Sequence, residues 1–232
     1  MTDLSIIIPA FNEKKTILTI IDKINQLDIK KQLIVVDDYS NDGTRRILNE
    51  NHNKVDLLLF HKKNLGKGAA IRTAQKYVTG KYTIIQDADL EYDPNDFKKI
   101  LNCFKNNKID VVYGSRVLGK KRYNLKNFIS LSRVFFNHML TVFSNLLNNQ
   151  NLTDAHTCYK AFSSELFRKI NLKENGFAFC PEVTTKISNL NIEILEVPIS
   201  YNGRTYKDGK KISYIDGIQA IYALIKYKFF NK

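Results

Sequence analysis

An α/β fold with a mainly parallel sheet flanked by helices is what this sequence predicts, on three observations. Short apolar runs of strand length alternate with helical patterns through the first half of the chain. The runs are apolar at nearly every position, as in parallel strands covered on both faces. Several end in acidic or turn-forming residues, and in open sheets of this kind ligands bind outside the carboxyl ends of the strands. With 232 residues, 44% hydrophobic and 25% charged, the chain can bury one sizeable core. That composition excludes a disordered, collagen-like or disulfide-stapled protein.

The first strand is Leu4–Ala10 (LSIIIPA). Ile17, Leu18, Ile20, Ile21, Ile24 and Leu27 then recur at helical spacing and predict one buried stripe. Residues 33–36 form a second strand, which runs into Asp37 and Asp38 and then a turn-and-cap cluster, Ser40, Asn41, Asp42 and Gly43, before a short helix. Leu57–Phe60 is a third strand, residues 67–78 a helix, and Tyr82–Ile85 a fourth strand that ends in Gln86-Asp87-Ala88-Asp89. Asp93-Pro94 reads as a helix cap with proline at the first helical position, and residues 111–113 supply a fifth strand. Right-handed crossovers between such strands bring Glu13, Asp37-Asp38 and Asp87-Asp89 to one sheet edge.

Lys+Arg 36 against Asp+Glu 23 leaves a net charge of +13, so anionic partners are expected. The excess is localised. Residues 111–153 carry six basic and no acidic residues, and residues 201–232 carry seven basic and two acidic ones, so these segments hold 11 of the 13 net charges. An acidic strand-end cluster would repel a phosphate backbone, and no RRM, KH or zinc pattern occurs, so no nucleic-acid partner is expected. Cys103, Cys158 and Cys180 include no C-x-x-C pair and read as reduced thiols, while the four histidines form no metal-spaced pair. The N-terminus lacks a signal-peptide pattern, and residues 128–147, though apolar, carry too many polar groups to span a bilayer. Ile215, Ile218, Tyr222, Ile225 and Phe229 form a stripe next to Lys226, Lys228 and Lys232. This reads as a helix lying on a membrane surface, or one packed on the sheet or in a homodimer. The expected organisation is a domain over residues 1–211 and an amphipathic helix over residues 212–232, peripheral on the cytoplasmic face of a membrane.

Asp87 and Asp89 offer hard oxygen ligands suited to Mg²⁺ or Mn²⁺, with Glu91 as a third oxygen, or they form a solvated turn before the Asp93 cap. Asp38 is placed to accept hydrogen bonds from a nucleobase or ribose, or to cap the following helix. Asn64-Leu65-Gly66-Lys67-Gly68 opens a helix with backbone N–H groups and one cation that could meet a phosphate. It matches neither a Walker loop nor a Rossmann fingerprint.

Five motifs occur in the order seen in inverting glycosyltransferases of family 2: Pro9-x-Phe11-Asn12-Glu13; Val36-Asp37-Asp38-x-Ser40-x-Asp42-Gly43-Thr44; Asn64-x-Gly66-Lys67-Gly68; Asp87-Ala88-Asp89-Leu90 with Asp93-Pro94; and Gly114-Ser115-Arg116. More narrowly, the chain resembles the dolichyl-phosphate (polyprenyl-phosphate) mannosyltransferase branch. Leu152-Thr153-Asp154, Thr157-Cys158-Tyr159-Lys160, Glu182, Tyr201-x-x-Arg204 and Gly209-Lys210 extend the likeness over nearly the whole sequence. The resemblance implies a GT-A fold, a nucleotide diphosphate-sugar donor such as GDP-mannose or UDP-glucose, and a polyprenyl phosphate acceptor. It also implies Mg²⁺ or Mn²⁺ held by Asp87, Asp89 and Glu91. Asp38 would hold the donor base, with Pro9, Ala10, Asn12, Glu13, Val36, Lys67 and Ala88 lining the donor site. Arg116, Arg204 and Lys210 would meet phosphates. Asp154 and Glu182 are the remaining candidates for a base, should the acceptor instead be a hydroxyl of a sugar, lipid or protein; each reads equally as a sugar-hydroxyl contact or an ion-pair partner. Phe11 stands where tyrosine is common, Glu91 where glutamine is, and Thr157-Cys158-Tyr159-Lys160 where Ser-Gly-Phe-Arg is usual, which leaves the sugar and nucleotide open.

Overall fold

A computed structural model describes residues 2–106, 108–119, 128–204 and 214–230, with the side chains of 106, 128–133 and 214 outside the description. The centre of the molecule is β1 (Leu4–Ala10), whose Leu4, Ile6, Ile7 and Ile8 are wholly buried because the sheet is covered on both faces. It pairs in parallel with β2 (Lys31–Asp37) on one side and β4 (Tyr82–Ile85) on the other, and β3 (Leu57–Phe60) joins β2 at the edge. The seven strands run β3-β2-β1-β4-β6-β5-β7. β5 (Val111–Ser115) and β7 (Ile194–Pro198) are parallel to each other, and only β6 (Lys160–Ser163) runs antiparallel, between β4 and β5. The expected mainly parallel α/β sheet is therefore present.

The flanking helices bury the stripes their sequences prescribe. In α1 (Ile17–Asn25) these are Ile17, Ile20, Ile21 and Ile24. α2 (Thr44–Glu50) begins after Gly43, whose φ of 102° only glycine adopts without strain. α3 (Lys67–Gln75) ends three residues earlier than the periodicity predicts. Asp93 caps a 3₁₀ turn (Pro94–Asp96) through the N–H of Asn95, with proline at the first position, and α4 (Phe97–Asn106) follows.

The second half departs from ordinary amphipathic packing. α5 (Phe128–Asn148) turns Thr141, Ser144 and Asn148 inward and leaves Phe135, Phe136, Met139, Val142 and Leu146 exposed. Its polar seam meets α7 (Phe179–Asn189), where Asn148 Nδ2 donates to Thr185 Oγ1 at 3.2 Å and Ser188 Oγ donates to the Asn148 carbonyl at 2.7 Å. A short α6 (Ser164–Lys169) lies between β6 and α7. α8 (Tyr214–Ile225) continues as a π-helical turn (Lys226–Phe230) and docks on α7 and α5 through Ala220, Ala223, Leu224 and Tyr227. Its other side exposes Ile215, Ile218, Tyr222, Phe229 and Phe230. Among the described residues, no helix is long and apolar enough to cross a membrane.

Candidate active site

The carboxyl end of β1 turns sharply at Asn12, held at a φ of 52°, and the residues after β2 pin that turn. Asn12 N–H donates to Ser40 Oγ at 2.9 Å, Glu13 N–H to Thr44 Oγ1 at 2.8 Å, and Lys14 N–H to Asp42 Oδ2 at 3.0 Å. Asn12 Oδ1 in return accepts from Asn41 N–H at 2.9 Å. Ser40, Asp42 and Thr44 thus lock one strand-end loop to another, while Gly43 supplies the start of α2.

Asp38 serves the backbone. Its Oδ1 accepts from Leu65 N–H at 2.8 Å and contacts His61 Nδ1 at 2.7 Å, and its Oδ2 accepts from Gly66 N–H at 2.7 Å. The carboxylate expected to hold the donor base therefore holds the 61–66 loop. The glycines of the next motif differ from expectation in the same way. A Cβ on Gly66 would come within 2.5 Å of the Asn175 carbonyl, and one on Gly68 would collide with the Glu174 carbonyl. Ala69 N–H donates to Asn175 O at 3.0 Å. The helix start that resembled a phosphate cradle is packed against residues 174–176, and its glycines permit that close approach. Val36, Ala10 and Ala88, expected to line the donor site, have buried side chains, Val36 wholly in the core.

At the end of β4 each aspartate faces a protein cation. Lys67 Nζ lies 2.5 Å from Asp87 Oδ1. Burial opposes the Lys67 charge, but Asp87 outweighs it and holds the ammonium well above the usual lysine range. Asp89 Oδ2 accepts from Arg204 Nη2 at 3.0 Å and its Oδ1 from Glu91 N–H at 3.1 Å. Leu90 between them sits at a φ of 63°, a strained conformation for a bulky residue and one that clusters at functional sites. Burial, then the charges of Asp87 and Glu91, push the Asp89 carboxyl up to about 7 despite Arg204.

Glu91, expected as a third oxygen, is tied to the chain on both carboxylate oxygens. Its Oε2 accepts from Tyr201 O–H at 2.8 Å and its Oε1 from Arg204 N–H at 2.6 Å, while its own carbonyl accepts from Asn202 N–H at 2.8 Å. It anchors the 201–204 segment, and among the described residues no group of three or more His, Cys, Asp or Glu is arranged to hold a metal. Two carboxylates nevertheless fit Mg²⁺ or Mn²⁺, which take one or two carboxylates and complete their shell with water and substrate phosphate. Burial and the neighbouring charges of Asp87 and Glu91 both disfavour the Asp89 anion, and such a cation would offset them.

Arg116 and Asp154, expected apart as phosphate contact and base, form one buried pair. Nε donates to Oδ2 at 2.7 Å and Nη2 to Oδ1 at 2.8 Å, and the guanidinium also lies over the Tyr201 ring, 5.2 Å from its centroid. Burial pushes the Asp154 carboxyl up, but Arg116 outweighs it and holds the group below the usual carboxylate range. Glu182, wholly buried, accepts from Lys173 N–H, Glu174 N–H and Lys186 Nζ at 2.6–2.8 Å. Neither carboxylate is poised as a general base. Lys210 lies outside the described residues. Sequence reading missed Glu196, which accepts from Thr153 N–H at 2.6 Å and Asp154 N–H at 2.9 Å, and Tyr92, whose hydroxyl accepts from Cys158 N–H at 3.0 Å. The available signal for Glu196 was a lone charge within the strand ILEVP.

Asp154→Asn leaves a buried guanidinium without its counter-ion and is expected to cost about 3–5 kcal/mol of stability, measured by urea unfolding, whereas Arg116→Met with Asp154→Leu recovers most of it. An unchanged midpoint for Asp154→Asn would refute the pairing. Asp89 sets a pH dependence. Its folded value, about 7, lies above the ordinary 3.8, so folding favours the protonated form, and stability is lost as pH rises through that window. Metal-free Asp89→Asn should therefore melt higher than the parent at pH 8, and the difference should shrink steadily as pH falls toward 3.8.

The profile of the family described as "Glycosyl transferase family 2" matches residues 5–171. A dolichyl-phosphate beta-glucosyltransferase of Trichomonas vaginalis is 28% identical over 248 residues, covering 99% of this chain and 74% of that one. A UDP-N-acetylglucosamine–dolichyl-phosphate N-acetylglucosaminyltransferase of Methanococcus voltae is 28% identical over 243 residues, covering 96% and 95%. Of solved structures, glucosyl-3-phosphoglycerate synthase from Mycobacterium tuberculosis, in complex with Mn²⁺, UDP and phosphoglyceric acid, superposes with a TM-score of 0.73 at 18% identity, covering 98% of this chain and 79% of that one. That likeness is one of fold, and the fold is GT-A-like. With its strand-end carboxylates, basic partners and sheet order in place, the chain is a glycosyltransferase and belongs to glycosyl transferase family 2.

Proposed function

We propose that the chain transfers a hexose from a nucleoside diphosphate donor to a polyprenyl phosphate at a membrane surface, with inversion, and that Asp87 and Asp89 hold a divalent cation. The observation that carries this reading is the state of the carboxylates. Asp154 and Glu182 are fully engaged by protein donors, and Asp154 is held ionised by Arg116. A sugar hydroxyl would need a base to take its proton; a phosphate monoester is already an anionic nucleophile. What it needs is charge compensation, and Lys67 and Arg204 stand at the edge where the diphosphate would lie. The acceptor oxygen attacks C1 of the sugar opposite the departing diphosphate, so one C–O bond forms as the other breaks and no proton moves. A bound divalent cation would supply Lewis-acid stabilisation of the leaving diphosphate. Relatives named for dolichyl phosphate, two of them for glucose transfer, support this acceptor and favour a gluco-configured sugar.

The inverted α5 and the outer side of α8 support membrane contact. Two adjoining helices expose Phe135, Phe136, Met139, Ile215, Ile218, Tyr222 and Phe229, in the two sequence segments that carry nearly all the net positive charge. Apolar side chains beside cations suit the headgroup boundary of an anionic bilayer.

In thermal melts, UDP with Mn²⁺ should raise the melting temperature, the gain reaching about 2.7 kcal/mol at a hundredfold excess over Kd, and EDTA or Asp89→Asn should remove it. The same protein should label polyprenyl phosphate from UDP-glucose. Labelling only from GDP-mannose would change the sugar; transfer to a free glycoside in place of the lipid would overturn the acceptor. Ile218→Asp combined with Phe136→Asp should abolish sedimentation with anionic vesicles while sparing transfer to a short, water-soluble prenyl phosphate. Undiminished sedimentation would refute the membrane face.

A further inference from the structure

Glu13 lies in the turn expected to line the donor site, yet only 7% of it is exposed and its side chain is committed elsewhere. Oε2 accepts from Arg204 Nη1 and Oε1 from Arg204 Nη2, both at 3.1 Å, and Oε2 also accepts from Thr16 Oγ1 at 2.8 Å. We propose that Glu13 is a positioning residue for Arg204, and through it for the phosphates at the strand edge; this rests on the transferase reading above.

A bidentate fork fixes the plane of a guanidinium as well as its position. The fork has a rigid base, because the Asn12–Lys14 turn is pinned to Ser40, Asp42 and Thr44. The other end of Arg204 is fixed independently, its backbone N–H held by Glu91 at 2.6 Å and Tyr201 by the same carboxylate. Asp89 is the third carboxylate facing the guanidinium, with a single bond from Nη2 at 3.0 Å. That inequality matters when a divalent cation claims Asp89. Arg204 would lose one bond of three and keep the two to Glu13, so the guanidinium would stay at the edge with one Nη2 N–H free for a diphosphate oxygen. Without Glu13, the charge of Arg204 is left to Asp89 and Glu91, where it competes with the cation for its ligand and leaves the phosphate unattended. The pairing joins residues 191 positions apart, which is why the turn motif alone does not disclose it.

The test is a double-mutant cycle in the full chain: parent, Glu13→Gln, Arg204→Met and the double variant. Each is measured for kcat and KM in transfer from UDP-glucose to polyprenyl phosphate, and for the melting shift given by Mn²⁺ with UDP. Residues acting as a unit lose their effect once, not twice. Each single variant should lose about tenfold or more in kcat, with the larger part of the melting shift gone, and the double variant should be no worse than Arg204→Met. Losses that multiply in the double variant, or a Glu13→Gln protein with the parent's kinetics and melting shift, would overturn the proposal while leaving the transferase reading intact. A parent that neither transfers sugar nor responds to Mn²⁺ with UDP would overturn that reading first, and this one with it. Should Glu13→Gln fail to fold, Glu13→Asp keeps the charge, withdraws the carboxylate by one methylene and takes its place in the same cycle.

Discussion

Four carboxylates, those of Glu13, Asp87, Asp89 and Glu91, crowd the carboxyl end of β1 and β4, and the edge is held together by the cations and N–H groups set against them. Lys67 faces Asp87, and Arg204 bridges Glu13 and Asp89 while its own backbone is tied to Glu91. Like charges repel strongly in a partly dry environment, and burial first, then the charges of Asp87 and Glu91, raise the Asp89 carboxyl despite Arg204. An edge built this way is costly for the folded state, the usual relation between stability and function at a working site. It also explains why residues 201–204 fold back across the sheet. Tyr201 stacks edge-on against Tyr92 at 5.2 Å, carries the Arg116 guanidinium on its ring and donates to Glu91, so one segment connects the acidic edge to the buried Arg116–Asp154 pair.

Around that edge, residues that look like ligand contacts in one dimension often act on the chain itself. Asp38 holds a loop, the Gly66 and Gly68 positions admit the backbone of residues 174–176, and Ser40, Asp42 and Thr44 hold the turn that carries Glu13. A short motif reports that a local conformation is required; whether the requirement comes from a ligand or from another segment depends on contacts made far along the sequence.

The division between what was legible and what was not follows the same line. Continuous apolar runs disclosed β1, β2, β4 and β5, since a strand buried on both faces has no other composition available to it, and β3 showed by its run LLLF although it is a half-buried edge strand. β6 (KAFS) and β7 (ILEVP) escaped because a short strand with polar members has no distinguishing period. Asp87 and Asp89 were legible as a pair at a strand end. Their partners were not, because Lys67 and Arg204 reach them over 20 and 115 residues. The Arg116–Asp154 pair spans 38 residues, and each member, read alone, suggested a separate chemical role that the two-bond pairing removes.

α5 presents the sharpest conflict between local pattern and fold. A helix that turns threonine, serine and asparagine inward and phenylalanine and methionine outward loses the hydrophobic term that ordinarily docks a helix on a sheet. Here the inward side is secured instead by hydrogen bonds: Asn148 to Thr185, Ser188 to the Asn148 carbonyl, and Ala155 N–H to Thr141 Oγ1. Such bonds contribute about 1 kcal/mol each, enough to orient the helix, while the exposed apolar side chains on α5 and the neighbouring α8 forfeit burial worth more than that. The arrangement is economical only if those side chains leave water in the working state. On the function proposed above, a bilayer surface would supply that condition, because the helices that keep their apolar side chains outward would then rest in the same lipid that holds the acceptor.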